Sequence, residues 1–102
     1  MNRRQKLEAL VQEDPDDVFL RYALAMQCVS DGDDDEGLDG LQKLLERDAH
    51  YVPAYFQTAQ LLAKKNELET CRHYLTRGIE VAHEAGDSHA EGEMRGFLEQ
   101  LG

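Results

Sequence analysis

Residues 14–47 read DPDDVFLRYALAMQCVSDGDDDEGLDGLQKLLER, and the chain repeats their apolar pattern in its second half. The recurring residues are apolar or small and stay in register, and the pairs are Leu7 and Leu41, Leu41 and Leu75, Val18 and Val52, Tyr22 and Phe56, and Ala25 and Ala59. A period of this length, about 34 residues, is typical of repeat architectures, in which each unit buries its apolar face against a neighbour. The pattern therefore predicts repeated units rather than one closed globule.

Helical periodicity accounts for nearly all of the apolar residues, and no stretch alternates with period two. Residues that stop or cap helices separate the periodic stretches, beginning with Asp14-Pro15 and the turn around Gly32. The predicted helices are 3–13, 17–30, 34–47, 53–65, 67–84 and 88–101. Because the loops between them are short, neighbouring helices should run antiparallel. The fold class predicted is all-α.

The formal net charge is −10, which disfavours nucleic acid and anionic membranes as partners because both need a basic surface. An acidic surface is used by salt-adapted proteins and also occurs in ordinary acidic domains, and both origins stay open. No apolar run is long enough to span a bilayer, and no signal peptide is recognisable, so we expect a cytoplasmic protein. Cys28 and Cys71 fall inside helical patterns and are expected to be small core residues rather than a disulfide.

The motifs of the two repeats resemble the tetratricopeptide repeat, TPR, whose units are helical hairpins with small residues where the two helices cross. The matching residues are the Asp14-Pro15 junction, the Asp31-Gly32 turn, the small residues Ala25, Ala59, Gly37 and Cys71, the aromatic Tyr55, and the large apolar Leu41, Leu62 and Leu75. Three positions depart from the family pattern. Arg21 stands at the first aromatic position, which Leu20 or Tyr22 would then have to fill, and Asn66 and Ala49 replace the turn glycine and the junction proline.

The resemblance implies a single domain over residues 1–102, built as a short right-handed α-solenoid of stacked antiparallel hairpins. Its parts would be an N-terminal half-repeat helix at 3–13, repeat 1 at 17–47, repeat 2 at 52–84 and a capping helix at 88–101. The opening Met and the plausible cap lead us to expect a complete chain. Since two full repeats are fewer than the roughly three usually needed for stability, the terminal helices or a second chain must supply the missing interface.

In this family the first helix of each repeat lines a concave groove, so the resemblance implies a non-catalytic interaction module or scaffold that binds a protein or peptide segment there. The groove residues carried over are Phe19, Tyr22, Met26 and Val29 from repeat 1, and Phe56, Gln57, Gln60 and Lys64 from repeat 2. The alternative is a structural homo-oligomer that uses the same apolar faces, with a homodimer as its simplest form. A further alternative is that the terminal helix folds back and covers them.

Other chemistries find little support in the sequence. Ala23 and Ser30 stand where the chaperone-binding members of the family carry Asn and Lys, so we expect no binding of chaperone tails. A calcium loop starting at Asp31 would need Gly at its sixth position and Glu at its twelfth, and it has Glu36 and Gln42. The four histidines form no zinc motif, and no phosphate loop or nucleophile motif is present. We expect neither an enzyme nor a cofactor or metal protein.

Overall fold

The computed structural model describes residues 1–102 as six α-helices without a β-strand. The helices are α1 (Arg3–Glu13), α2 (Val18–Ser30), α3 (Asp34–Arg47), α4 (Val52–Lys64), α5 (Leu68–Glu84) and α6 (Ser88–Leu101). Each begins and ends within one residue of a predicted segment. The prediction of an all-α fold made from helical hairpins is confirmed.

The turns inside the hairpins carry the same backbone geometry one repeat apart. Gly32 has a φ of 86°, and its counterpart in the second repeat, Asn66, has a φ of 62°. The amide of Asp33 donates to the carbonyl of Cys28 at 2.8 Å, and the amide of Glu67 donates to the carbonyl of Leu62 at 2.9 Å. This is the hydrogen bond of a Schellman cap, which needs a left-handed residue after the helix. Asn tolerates that conformation better than other side chains, so the turn survives the loss of Gly.

Residues Met1–Asp48 form a first compact unit, in which α2 contacts both α1 and α3. Its buried apolar side chains lie mainly on α3, and they are Leu7, Ala25, Cys28, Leu38, Leu41, Leu44 and Leu45. Helices α2 and α3 approach closely at Gly37, where an added Cβ would lie 2.5 Å from Val29 Cγ2. Helix α1 packs chiefly against α2, with Leu7 buried and Leu10 43% exposed.

Residues Ala49–Gly102 form a second compact unit of α4, α5 and α6. Tyr55 is buried and its hydroxyl donates to the carbonyl of Ala49 at 2.7 Å. Met94 of α6 is fully buried beside Gly78 of α5 and Tyr55 of α4, so the three helices contact one another at these residues.

Both cysteines are buried and unpaired. Cys71 donates its thiol to the carbonyl of Ala59 at 3.1 Å, inside the α4–α5 crossing. Burial raises the pKa of each thiol above its ordinary value. Cys28 and Cys71 are therefore small core residues, as their positions in the sequence predicted.

Candidate protein-interaction surface

An apolar stripe runs along α2 beside the face that carries its buried residues Ala25 and Cys28. Phe19, Tyr22, Met26 and Val29 are spaced by three or four residues, so they share one face of the helix. Phe19 is 66% exposed, and the other three are half-buried. A phenylalanine this exposed contributes little to folding, which makes it a candidate contact residue. We call these four residues the α2 stripe.

Polar side chains at the start of α2 fix the position of the helix that carries the α2 stripe. The Asp17 side chain caps α2 by accepting a hydrogen bond from the Leu20 amide at 3.1 Å. The neighbouring Asp16 pairs with Arg47 at the end of α3, with 2.9 Å between Oδ1 and Nη1. The cap satisfies one of the amides that a helix start leaves without an intrahelical partner. The cap and ion pair thus tie the start of α2 to the hairpin.

The corresponding stripe on α4 is more polar and partly covered. Phe56 is half-buried because its ring meets Phe97 of α6, with 5.6 Å between the ring centroids and 78° between the planes. Gln57 is half-buried, whereas Gln60 and Lys64 are exposed. The alternative in which the terminal helix covers groove residues is therefore realised for Phe56 within the second unit.

The long acidic run is built into the start of α3. Asp34, Asp35 and Glu36 lie in the first turn, where the helix dipole favours negative charge. Arg4 of α1 pairs with Asp33 at 3.3 Å and with Glu36 at 2.7 Å. No group of three or more His, Cys, Asp or Glu side chains is arranged to hold a metal ion.

A second charged cluster joins α5 to α6, and no motif in the sequence pointed to it. Glu91 accepts from Arg95 at 3.0 Å and lies 3.1 Å from His83 Nδ1. The hydrogen bonds from Arg95 and His83 hold the pKa of the Glu91 carboxyl below its ordinary value. Because these pairs are largely open to water, they serve chiefly to orient the helix ends.

The comparisons with known proteins agree with this geometry. A family model described as tetratricopeptide repeat matches residues 2–54, just over half of the chain. The chain belongs to the tetratricopeptide repeat family. It is 27% identical over 95 residues to a TPR repeat-containing protein of Pseudomonas aeruginosa, covering 93% of this chain and 90% of that protein.

Solved structures show the same fold. The crystal structure of a tetratricopeptide repeat domain protein of Salinibacter ruber has a TM-score of 0.79 at 27% identity, over 82% of this chain and 93% of that one. The solution structure of a Bordetella parapertussis protein has a TM-score of 0.83 at 24% identity, over 99% of this chain and 88% of that one. The second likeness concerns the fold alone.

The family sets the broad class of activity. Tetratricopeptide repeats are generally protein–protein interaction modules and non-catalytic scaffolds. None of the six helices is both long and apolar enough to cross a membrane.

Proposed function

We propose that this protein is a non-catalytic interaction module that binds a segment of a protein partner through the α2 stripe. The observation that carries the proposal is the exposure of Phe19 at the end of an otherwise half-buried apolar row. Burial of such a row by an amphipathic helix or an extended peptide is a common recognition mode. On the second unit, Gln57, Gln60 and Lys64 of α4 are separate polar candidates for partner contact.

Phe19 is the most informative residue to change. Burying a phenylalanine side chain contributes about 1.5–3 kcal/mol, and roughly two thirds of that is available because 66% of Phe19 is exposed. Phe19→Ala should then weaken partner binding by about 5- to 30-fold, since about 1.4 kcal/mol is tenfold. Its effect on stability should stay within about 0.5 kcal/mol, as for other surface changes.

Phe56 is a predicted groove residue, but a substitution there would be a poor test of the proposal. A Phe56→Ala change would remove the ring contact with Phe97 and loosen α4 from α6, so lost binding would have two explanations. Leu10→Ala is the matched control, because Leu10 is an exposed apolar residue on α1 outside the α2 stripe.

The experiment is an affinity capture from the source cell with three baits, the unchanged protein, Phe19→Ala and Leu10→Ala, quantified by mass spectrometry. A protein enriched by the first and third baits but lost with Phe19→Ala supports the proposal. Equal enrichment by all three baits would refute the assignment of the α2 stripe.

Self-association through the same stripe is the competing outcome. It would appear as a mass that rises with concentration by light scattering and that returns to the monomer value in Phe19→Ala.

A further inference from the structure

A recess opens in the first unit between α1, α2 and α3. Its volume is about 140 Å³, and the apolar part of its lining comes from Val11, Leu24, Ala25 and Cys28. Gly40 of α3 also lines it, and α3 approaches α2 closely there, because an added Cβ would lie 3.3 Å from the Cβ of Ala25. We call this cavity the α1–α3 recess.

The α1–α3 recess is separate from the α2 stripe. Successive residues of a helix are turned by about 100°, so the nine steps from Phe19 to Cys28 amount to about two and a half turns. The two side chains therefore leave α2 on opposite faces, one exposed and one buried. A change at one surface can be tested without altering the other.

The second repeat indicates what would fit the recess. The counterparts of Arg21 and Gly40 in the second repeat are Tyr55 and Tyr74, whose ring centroids lie 6.5 Å apart. The second unit thus places two aromatic rings in contact where the first unit has a guanidinium and a glycine.

Our expectation that Leu20 or Tyr22 would take the place of the missing aromatic side chain is wrong. The recess stays open, and Arg21 lines it whereas Leu20 and Tyr22 do not. Arg21 cannot fill it, because its side chain donates back to the carbonyl of Pro15. An apolar cavity of about 150 Å³ holds a benzene molecule in another protein, so the recess has the size of one aromatic ring.

The rim of the recess favours a cationic partner. Three carboxylates line it, Glu8, Glu36 and Asp39, together with two cations, Arg21 and Lys43. Glu36 already pairs with Arg4, and Asp39 with Lys43, which leaves Glu8 as the carboxylate that faces a partner. Residues 1–48 contain thirteen acidic and six basic side chains, so the field around the recess stays negative after these pairs are counted. Complementary charge speeds the encounter with a basic segment and disfavours an acidic one.

We infer that the α1–α3 recess receives an aromatic side chain from a protein segment in which lysine or arginine flanks that side chain. The ring takes the place that Tyr74 takes in the second repeat, and a flanking cation faces Glu8. A second copy of this chain is a poor occupant, because each copy carries a net charge of −10. This surface is additional to the α2 stripe and does not depend on the proposed function.

The probes are three blocked tripeptides, acetyl-Lys-Phe-Lys-amide, acetyl-Lys-Ala-Lys-amide and acetyl-Glu-Phe-Glu-amide. Each is titrated to about 10 mM into the isotopically labelled protein at low ionic strength while amide shifts are followed by NMR. We expect the first peptide to shift the amides of Ala25, Cys28 and Gly40 and to bind at least about fivefold more tightly than the other two. The absence of shifts at the recess, or equal binding of the alanine peptide, would overturn the inference.

Variants of Gly40 supply the matched controls. Gly40→Tyr copies the second repeat and should lower affinity for the Lys-Phe-Lys peptide at least about tenfold, whereas Gly40→Ala should keep it within about twofold. Unchanged affinity in Gly40→Tyr would refute the site.

If Gly40→Tyr does not fold, a substitution at the rim of the α1–α3 recess tests the inference instead. Glu8→Lys on exposed surface should reduce the preference for the cationic over the anionic peptide severalfold, and Glu93→Lys in the second unit should not. A preference unchanged by Glu8→Lys would contradict the assigned occupant. If Phe19→Ala loses the protein partner but still binds the Lys-Phe-Lys peptide at the α1–α3 recess, the two surfaces act independently.

Discussion

The contact among α4, α5 and α6 predicts that the same substitution at two glycines changes the free energy of unfolding in opposite directions. Gly78 is buried in α5, and an added Cβ would lie 2.6 Å from Met94 Sδ and 2.7 Å from Tyr55 Cβ. Gly96 lies in α6 with nothing within 4 Å of an added Cβ. Because both residues are helical, Gly→Ala makes nearly the same change in the unfolded chain at both positions. The difference between the two variants therefore isolates the contact in the folded protein.

The magnitudes follow from the structure. At Gly96 the alanine should stabilise by about 1 kcal/mol through helix propensity alone. At Gly78 the Met94 side chain can move aside, but Tyr55 Cβ is attached to the α4 backbone and its ring is held by the hydrogen bond to Ala49. Helices α4 and α5 must then separate, and overpacking of this kind costs about 1–3 kcal/mol. After the propensity gain, Gly78→Ala should destabilise by up to about 2 kcal/mol, which leaves it about 1–3 kcal/mol less stable than Gly96→Ala.

The assay is urea and thermal unfolding followed by circular dichroism at 222 nm. With about 4–8 °C per kcal/mol for a domain of this size, Gly96→Ala should raise Tm by several degrees, and Gly78→Ala should lower it by up to about 15 °C. The urea slope should not change, since the surface exposed on unfolding is the same. Stabilisation by both variants would show that α4 and α5 do not approach at Gly78 as described.

Three further changes test other parts of the structure. Gly32→Ala should destabilise by about 1 kcal/mol in urea titrations because alanine is strained at a φ of 86°, and a neutral effect would contradict the left-handed turn. The lowered pKa of Glu91 means that its ionised form stabilises the folded state above the unfolded pKa and that this contribution disappears as the pH falls through the folded pKa. Unfolding curves of Glu91→Gln and the unchanged protein should therefore differ at pH 7 and converge towards pH 3, and a constant difference would refute the linkage. Cys28 and Cys71 are buried with raised pKa values, so iodoacetamide should modify neither in the folded protein and both in concentrated urea, as measured by mass spectrometry.

The candidate surface was predictable in position but not in exposure. The spacing of Phe19, Tyr22, Met26 and Val29 is enough to place them on one face of α2. Whether that face is open depends on which helices lie against it, and the structure leaves Phe19 mostly exposed while Phe97 meets Phe56. Periodicity assigns side chains to a face of their own helix and carries no information about the neighbour across it.

The α1–α3 recess shows the same division between local and long-range information. In the sequence, Arg21 and Gly40 stand where the second repeat has two tyrosines. This difference predicts that an aromatic ring is missing from the first repeat, but not whether the space it leaves stays open. Neighbouring residues can fill such a gap, as we expected of Leu20 or Tyr22. Only the three helices together show that the gap persists, because its lining comes from residues far apart in the chain.

The sequence by itself determined the ends of the helices and the repeat to which they belong. Those properties depend on residues within one turn of each other, such as Asp17 at the start of α2 and Gly32 or Asn66 in the turns, and on the constant step that carries Leu7 onto Leu41 and Leu75. The tertiary structure alone decided which apolar residues stay exposed, which glycines are crowded and where a cavity remains. Exposure, crowding and cavities depend on contacts between helices. They can therefore be determined only when side chains from different helices are placed together.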